Sequence, residues 1–249
     1  MSPSIGRLAV IGVGLIGGSL ARALRAAGAV DEIVGCGRGR PNLEEALALG
    51  VIDRHTHDIG EAVRGADMVF LAVPLGAMRA AFDAMRATLP SAALITDGGS
   101  AKGSVVDDCR RAAPELLDRF VPGHPIAGNE RNGVAASTAT LYRDRRVILT
   151  PLPENDDAAV ARVRAMWQAC GAEVMSMSVQ HHDEVLAATS HLPHMLAFGL
   201  VDMLARMKEN DEIFLYAAGG FRDFTRIASS NPVMWRDICI ANREALGPM

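Results

Sequence analysis

The sequence has few aromatic residues, no paired cysteines and no apolar run long enough to cross a membrane. Aromatic residues make up only 4% of the 249 residues. The four cysteines stand far apart, which argues against a structural zinc site or a disulfide framework and suits a reducing compartment. Glycines at positions 12, 14, 17 and 18 interrupt the apolar N-terminal stretch, so we expect it to be neither a signal peptide nor a membrane span of about 18 apolar residues. We therefore expect a soluble, cytoplasmic protein with no membrane partner.

The sequence also lacks an excess of basic residues. Its formal net charge is −4 at pH 7. Nucleic acids and anionic membrane surfaces attract proteins mainly through clustered Lys and Arg side chains, so the overall charge gives no reason to expect either partner. A site for an anionic small molecule must therefore be a local feature.

What the sequence does contain favours helices packed on a buried parallel sheet. Ala, Leu, Val, Gly and Met are plentiful, and hydrophobic residues make up 49% of the chain. Up to about residue 175, short apolar runs alternate with amphipathic segments, as in βα units. From Ser178 onward helical spacing dominates. The pattern predicts an α/β Rossmann-type parallel-sheet domain over residues 1–175, followed by an all-α helical domain over residues 176–249.

Individual elements can be assigned from apolar runs and their boundaries. Strands are predicted at Leu8–Ile11, Glu32–Cys36, Met68–Ala72, Ala93–Thr96, Phe120–Val121, Arg146–Leu149 and Ala172–Met175. Helices in the first domain are predicted at Leu15–Ala27, Leu43–Ala48, Met78–Thr88, Ser104–Ala113 and Asp156–Cys170. In the second domain, Pro193 is expected to kink or divide the first long helix.

A glycine-rich loop follows the first predicted strand and opens the first predicted helix. Gly12, Gly14 and Gly17 have GxGxxG spacing, with Leu15 and Ile16 in the first helical turn. Gly12 permits a tight turn, Gly14 lets the backbone approach a pyrophosphate, and Gly17 lets helix and strand pack closely. Free N–H groups at the helix start would hold the phosphates. We predict a dinucleotide site here; the alternative is a glycine-rich turn in an unrelated α/β protein.

The end of the second predicted strand bears on the choice of cofactor. A carboxylate there would accept a hydrogen bond from the ribose 2′-hydroxyl of NAD, but this strand ends in Gly-Arg-Gly-Arg with no acid. Arg38 and Arg40 can instead bind a 2′-phosphate, or can simply be solvated loop residues. The sequence thus favours NADP and leaves NAD possible.

Four further regions make the sequence specific. They read DGGSAKG at 97–103, GHPIAGNERNG at 123–133, SHLPHMLA at 190–197, and GGFRDFTRIA at 219–228 followed by NPVMW at 231–235. Together and in this order they resemble the prephenate/arogenate dehydrogenase family over nearly the whole chain. The resemblance implies NAD(P)-dependent oxidative decarboxylation of prephenate to 4-hydroxyphenylpyruvate, of arogenate to tyrosine, or of both, in tyrosine biosynthesis. The sequence does not decide between these two substrates.

The chemistry of such substrates calls for a proton acceptor. A hydride leaves the ring carbon that carries the hydroxyl, while CO2 leaves the opposite ring carbon, so the enzyme must orient the ring and accept the hydroxyl proton. A neutral histidine does this well near pH 7. By resemblance His124 is the catalytic base, expected in a loop after the Phe120–Val121 strand; its alternative role is a structural histidine in a tight turn. Ser100 is expected to hydrogen-bond the substrate hydroxyl or His124, and also to cap the helix that starts near Lys102.

The substrate carboxylates call for cations. Arg226 corresponds to the family's substrate arginine and is assigned to the ring carboxylate, because a guanidinium binds a carboxylate in two places. Arg222, one helical turn earlier, is expected to bind the substrate side chain or to pair with Asp223 or Glu130, or to be solvated. Glu130 corresponds to a family glutamate that contacts the substrate arginine. Gly219 begins the motif and is included among the substrate-binding residues.

The remaining candidates lie in the helical domain. By resemblance His191 and His194 are substrate-pocket residues, three positions apart and so able to share a helix face. Trp235 resembles a residue that the partner subunit supplies near the pocket, and ordinary helix packing is an equal alternative. The HxxH spacing offers two ligands without a third at a suitable distance, so no metal is expected.

The resemblance also implies a homodimer formed through the helical domain. Family members usually continue with more helix after the WRDI segment, so we expect a shortened C-terminal region. Two rival functions are a dehydrogenase of the β-hydroxyacid or pyrroline-carboxylate reductase type and a catalytically dead nucleotide-sensing module. The first relies on a catalytic lysine in the helical domain, and Lys208 is the only lysine after residue 102. The second is at odds with the joint presence of His124, Ser100 and Arg226.

Overall fold

The computed structural model describes residues 5–128, 131–208 and 210–249. The chain divides into two compact units, unit 1 up to His182 and unit 2 from Asp183 to Met249. Among the described residues, no helix combines the length and apolar character needed to span a bilayer.

Unit 1 is built on a parallel sheet of five strands in the order β3-β2-β1-β4-β5. Every residue of β4 and β5 is buried, as expected for strands that helices cover on both faces. This arrangement confirms the predicted Rossmann-type sheet. The strands are β1 Ile5–Ile11, β2 Val30–Cys36, β3 Arg54–Thr56, β4 Met68–Leu71 and β5 Leu94–Asp97.

Five helices belong to this sheet: α1 Leu15–Ala26, α2 Arg40–Ala48, α3 Ile59–Ala62, α4 Met78–Met85 and α5 Gly103–Ala112. The sequence pattern predicted all of them except α3, and it also missed β3. Both elements are short, and all three β3 residues are only half-buried, so neither has an apolar repeat to detect. α3 is stabilised instead by its cap, in which the Asp58 carboxylate accepts a hydrogen bond from the Glu61 N–H at 2.8 Å.

A second, three-stranded sheet in unit 1 corrects one prediction. It consists of β6 Gly123–Pro125, β7 Arg146–Leu149 and β8 Glu173–Ser176, with helix α6 Asp157–Ala169 between β7 and β8. Phe120–Val121, predicted as a strand, forms only a single bridge to Ile95. The ladder does not continue, because the next N–H that faces β5, that of Gly123, donates to the Asp97 side-chain carboxylate and not to the backbone of β5. His124 therefore lies within a strand, antiparallel to β7, and not in the loop that we expected.

Three of the few aromatic residues pack together in the core of unit 1. Trp167 of α6 is fully buried. The Phe70 ring of β4 meets it edge-on at 5.5 Å, and the Tyr142 ring does so at 5.1 Å. The Tyr142 hydroxyl donates a 2.6 Å hydrogen bond to the Ile16 carbonyl in the first turn of α1. One aromatic cluster thus joins the sheet, α6 and the glycine-rich loop.

The described part of unit 2 contains helices and no strands. Its elements are α7 Val179–Leu186, which begins in unit 1, α8 Leu192–Ala205, α9 Asn210–Leu215, α10 Gly219–Thr225, α11 Pro232–Ala241 and α12 Arg243–Leu246. The predicted division at Pro193 is present, because a π-helical turn at Ala187–His191 precedes α8 and Pro193 lies in the first turn of α8. The Asn231 side-chain oxygen Oδ1 caps α11 by accepting from the N–H groups of Val233 and Met234.

Unit 2 exposes an unusual amount of apolar surface. Of the sixteen large apolar side chains that are exposed among the described residues, twelve belong to it. They are Met195, Leu196, Met203, Met207, Phe214, Leu215, Tyr216, Phe224, Val233, Met234, Ile240 and Met249. Exposed apolar groups in this number indicate a surface that another protein chain covers.

Candidate active site

The glycine-rich loop has the geometry of a dinucleotide site. Gly12 has a φ of +102°, and a Cβ atom there would lie 2.3 Å from the Ala72 carbonyl oxygen. A Cβ atom at Gly17 would lie 2.0 Å from the Gly12 carbonyl oxygen. At Gly14 a Cβ atom would meet no protein atom within 4 Å. Gly12 and Gly17 are thus required for the packing of the loop, while Gly14 leaves the backbone open to a ligand.

The start of α1 fits an anionic group. No side chain caps this helix, and its first turn holds no acidic residue. The first N–H groups of a helix have no partner within it and carry a partial positive charge, which attracts an anion. The residues present therefore fit the pyrophosphate of a nicotinamide dinucleotide.

Alanine substitutions at Gly14 and Gly17 are expected to separate cofactor binding from the packing of the loop. Gly14 has φ −107° and ψ −153°, which alanine adopts readily, so Gly14→Ala should keep the melting temperature. Its Cβ atom would occupy the pyrophosphate position and weaken cofactor binding by about tenfold or more, as expected if one charge-assisted hydrogen bond is lost. Gly17→Ala should instead lower the melting temperature by several degrees. Thermal unfolding and fluorescence titration with NADH and NADPH measure both effects; unchanged cofactor affinity in Gly14→Ala would place the pyrophosphate elsewhere.

The sequence missed one residue that supports this loop. The Asn42 side-chain amide donates to the Val13 carbonyl at 2.6 Å, and its oxygen accepts from the Val134 N–H at 3.0 Å. Cys36, whose carbonyl accepts from the Gly12 N–H, is buried beside the loop. Burial raises the pKa of the Cys36 thiol to about 11, so this thiol stays protonated near neutral pH and is not a nucleophile.

The two arginines after β2 differ in their surroundings. Both are exposed. Arg40 begins α2 and lies 3.8 Å from the Glu44 carboxylate, whereas Arg38 forms no ion pair with any described residue. Arg38 is therefore the more available of the two cations.

His124 lies on β6 and is paired with a second histidine. Its ring is 8% exposed. The His124 Nδ1 atom lies 2.9 Å from the Nε2 atom of His182, which is fully buried at the start of α7, and the two rings meet edge-on at 5.1 Å. A hydrogen bond between two ring nitrogens needs one donor and one acceptor. When His124 donates from Nδ1, its Nε2 atom carries the lone pair and can take up a proton.

We made no prediction for His182 from the sequence, although a signal was present. Val179, His182 and Leu186 are spaced three and four residues apart along α7, which places them on one helix face. Leu186 is buried. A histidine within such an apolar stripe has to find a polar partner in the interior.

Ser100 lies between the end of β5 and the start of α5, and it is half-buried. α5 begins at Gly103 and its capping residue is Lys102, two positions after Ser100. The expectation that Ser100 caps this helix was therefore wrong, because Ser100 lies too far ahead of the first turn. Its expected role toward the substrate hydroxyl is independent of the cap.

The two histidines of unit 2 share one neighbour. The His194 ring stacks on the Trp235 indole with ring centres 3.5 Å apart, and the His191 ring lies 6.3 Å from the same indole. His191 is buried, with Nδ1 2.9 Å from the Asn242 amide nitrogen. His194 Nδ1 lies 2.9 Å from the Ser190 carbonyl. Trp235 thus packs within its own chain, beside both predicted pocket histidines.

His194 is held in its neutral form. Burial lowers its pKa below the ordinary value of 6.5, and the positive charge of Arg226 lowers it further, while the hydrogen bond to Ser190 partly opposes both. His194 is therefore suited to accept or donate a hydrogen bond near neutral pH rather than to carry a charge.

The GGFRDFTRIA motif is helical, as its arginine spacing requires. Gly219 begins α10, Arg222 lies within it, and Arg226 begins the 3₁₀ turn that follows. Both arginines are exposed. No ion pair joins Arg222 to Asp223 among the described residues. Glu130, the other expected partner, lies outside the described part of the chain.

Residues 5–128, 131–208 and 210–249 contain no cluster of three or more His, Cys, Asp or Glu side chains with the geometry to hold a metal ion.

Family models match the chain over most of its length. Residues 20–176 match the nucleotide-binding domain of prephenate dehydrogenase, and residues 178–249 match its dimerization domain. The chain belongs to the prephenate dehydrogenase family. It is therefore an oxidoreductase whose first unit binds a nicotinamide dinucleotide, and neither a β-hydroxyacid-type dehydrogenase nor a dead sensing module is favoured.

Individual relatives agree with this assignment. The chain is 41% identical to a cyclohexadienyl dehydrogenase of Zymomonas mobilis over 97% of its own length and 83% of the relative's. It is 37% identical to a prephenate dehydrogenase of Bacillus subtilis, covering 94% of this chain and 64% of that protein.

Solved structures give the same result. The structure of Aquifex aeolicus prephenate dehydrogenase with hydroxyphenyl propionate and NAD+ matches with a TM-score of 0.92 at 39% identity, covering 100% of this chain and 86% of that one. An arogenate dehydrogenase from Synechocystis matches with a TM-score of 0.80 at 27% identity, covering 97% and 86%. A pyrroline carboxylate reductase at 12% identity and a TM-score of 0.56 shows a shared fold alone.

Proposed function

We propose that the protein oxidises and decarboxylates prephenate, arogenate or both, with NADP or NAD as hydride acceptor, in tyrosine biosynthesis. The observation that carries this proposal is the buried histidine pair His124–His182 in the same unit as a loop that fits a dinucleotide. One histidine of such a pair can act as the proton acceptor that a cyclohexadienol substrate needs.

His124 acts as the general base. It donates from Nδ1 to His182, so that Nε2 is free of a proton and takes the one from the substrate hydroxyl. The imidazolium that results keeps the same hydrogen bond, because His182 Nε2 still accepts. Ser100 donates to the substrate hydroxyl oxygen and orients it toward His124. When bound, the nicotinamide accepts the hydride, and aromatisation of the ring accompanies loss of CO2.

The charged groups of the substrate require cations. Arg226 binds the ring carboxylate with its guanidinium fork, and Arg222 is available for the carboxylate of the side chain. His191 and His194 are assigned to the substrate pocket by resemblance, His194 as a neutral hydrogen-bonding group. Glu130 and Gly219 are assigned to the substrate site by resemblance.

The test is an assay of the purified protein with each substrate and each cofactor. Reduced nicotinamide should appear with prephenate or arogenate, and mass spectrometry should find 4-hydroxyphenylpyruvate or tyrosine. Cofactor binding without oxidation of either substrate would contradict the proposal and support a sensing role.

We infer that NADP is the preferred cofactor because Arg38, which forms no ion pair with any described residue, follows β2, where a guanidinium can bind a 2′-phosphate. Arg38→Ala should then lower kcat/KM with NADP by about tenfold to a hundredfold, the worth of one charge-assisted hydrogen bond, and leave kcat/KM with NAD nearly unchanged. Arg40→Ala is the matched control, since Glu44 already engages Arg40. A wild-type enzyme that strongly prefers NAD would refute the role of Arg38.

His182 is expected to set the tautomer and basicity of His124. His182→Phe leaves the buried Nδ1–H of His124 without an acceptor, so kcat should fall by about tenfold to a hundredfold. The imidazolium of His124 also loses a stabilising acceptor, so its pKa falls and the acid limb of the pH profile of kcat/KM should move to lower pH. His182→Gln keeps an acceptor and should recover part of the rate. The neighbouring exposed variant His181→Phe is the control; an unmoved acid limb in His182→Phe would contradict this role.

We further propose a homodimer that covers the exposed apolar side chains of unit 2. Its support is their number together with the match of residues 178–249 to a dimerization domain. Light scattering of the purified protein should give twice the mass of one chain.

A further inference from the structure

Lys102 and Asp97 form an ion pair that is completely buried in unit 1. Both side chains are 0% exposed, and the Lys102 ammonium contacts Asp97 Oδ2. The chain uses lysine only twice among its 25 basic residues, at Lys102 and Lys208. A compact ammonium with three donors fits a small enclosed site that a planar guanidinium would overfill. A buried ion pair is often no more stable than an apolar pair of the same volume, so its presence here calls for a role other than stability.

The pair holds the backbone on both sides of Gly123. Lys102 Nζ donates to the Gly123 carbonyl at 2.7 Å, and Asp97 Oδ1 accepts from the Gly123 N–H at 3.0 Å. The Gly123 carbonyl belongs to the peptide bond that continues into His124. The second carboxylate oxygen, Oδ2, also accepts from the Gly99 N–H at 2.8 Å, next to Ser100. One ion pair therefore fixes both segments that carry the proposed catalytic groups.

The topology explains why β6 needs this support. Pro122 and Ile126 direct their backbone hydrogen bonds toward β7, to Thr150 and Arg146. Because neighbouring residues of a strand alternate in direction, the polar groups of Gly123 point to the opposite side, toward β5. The bridge between Ile95 and Phe120 ends before this position. Lys102 thus provides the donor, and Asp97 the acceptor, that an adjacent strand would otherwise provide for Gly123.

The close approach is possible because the clamped residues are glycines. A Cβ atom at Gly123 would lie 3.2 Å from both the Asp97 carbonyl oxygen and Thr96 Oγ1. At Gly99 it would lie 2.9 Å from Asp97 Oδ2. An added methyl group would push either backbone away from the ion pair by a few tenths of an ångström.

We propose that Asp97 and Lys102 are positioning residues that hold the His124 and Ser100 segments in register for proton transfer. This inference rests on the proposed function, because it assigns those two residues to the reaction. Both side chains are completely buried, so the pair is not exposed to a substrate or a cofactor. Its contribution is to keep His124 Nε2 and the Ser100 hydroxyl at a fixed separation, so its loss should affect kcat and leave cofactor binding intact.

The test uses two variants that disturb the hold of the Asp97–Lys102 pair on Gly123 without leaving a lone buried charge; we call them the clamp variants. Asp97→Asn/Lys102→Met removes both charges, keeps an acceptor at position 97 and leaves the Gly123 carbonyl without its donor. Gly123→Ala leaves the ion pair in place and displaces the strand. Both should keep the cofactor Kd within about twofold and lower kcat per folded molecule by about tenfold to a hundredfold, the cost of a small misplacement of a catalytic group. The double variant Asp107→Asn/Arg110→Met, which removes an exposed ion pair from the same helix α5, should keep wild-type kcat.

A second measurement separates positioning from loss of structure. In the two clamp variants the acid limb of the pH profile of kcat/KM should move, because the His124–His182 hydrogen bond is disturbed, whereas a smaller folded fraction leaves the profile unshifted. The inference would be overturned if folded clamp variants kept the wild-type kcat. It would also be overturned if their pH profile did not move and their rate simply followed the folded fraction. Should the Asp97/Lys102 variant not fold, Gly123→Ala decides the matter alone. Failure of the proposed function would appear earlier, as a wild-type protein that oxidises neither substrate.

Discussion

Replacement of His124 by asparagine is expected to lower kcat by about 10²–10⁴-fold, the usual contribution of a general base. Asparagine cannot take up a proton near pH 7. Its side-chain amide lies close to the position of the imidazole Nδ1, so it can keep a hydrogen bond to His182 and the fold of β6. The variant therefore removes proton acceptance while it preserves the buried pair as far as one substitution allows.

Steady-state kinetics and cofactor titration together check this result. The cofactor Kd and the melting temperature of His124→Asn should remain near those of the wild type, and the exposed control variant His181→Asn should keep full activity. The acid limb of the pH profile should also disappear, because the group that titrates is gone. Turnover near the wild-type rate would show that another group accepts the proton.

Replacement of Arg226 by alanine is expected to raise KM by about 30-fold or more. Leaving a bound carboxylate without its cation costs roughly 2–5 kcal/mol, and each 1.4 kcal/mol is about a factor of ten in affinity. The main loss should be in substrate binding, since the guanidinium contacts the ring carboxylate and not the hydroxyl that reacts.

Two further variants sharpen this prediction. Arg226→Lys keeps the charge but not the planar fork, so it should recover only part of the affinity. Arg222→Ala, one helical turn earlier on the same motif, should raise KM less than Arg226→Ala does. Removing Arg226 also removes one cause of the lowered pKa of His194, so that pKa should rise in Arg226→Ala, as NMR titration of the histidine ring can show. An unchanged KM in Arg226→Ala would move the carboxylate site to another residue.

The elements with strong periodicity could be predicted from the sequence. Apolar runs in β1, β2, β4 and β5 and the amphipathic pattern of α1 identified a Rossmann-type sheet because each pattern is local. β3 and α3 could not be found in this way, since they are short and half-exposed and have no repeating apolar face. β6 was misplaced by a few residues because the apolar pair Phe120–Val121 forms only one bridge to β5, and the pairing with β7 begins at Gly123.

For the candidate site too, some residues could be predicted from the sequence and others could not. The resemblance of four motifs to a known dehydrogenase family selected His124, Ser100 and Arg226 as candidates, because a motif is recognised from residue types and their spacing. The partners of those residues were not predictable. His182 is 58 positions from His124, and Asp97 is 26 positions from Gly123.

By itself the sequence determined the two kinds of architecture, the glycine loop and the residue types that the chemistry requires. Only the tertiary structure decided which buried polar groups meet: a second histidine behind His124, and a lysine–aspartate pair holding the backbone beside it. The physical reason is that a buried polar group must be hydrogen-bonded, but the group that satisfies it is brought near by the packing of distant strands and helices. Local periodicity predicts that a residue is buried but does not predict its hydrogen-bond partner.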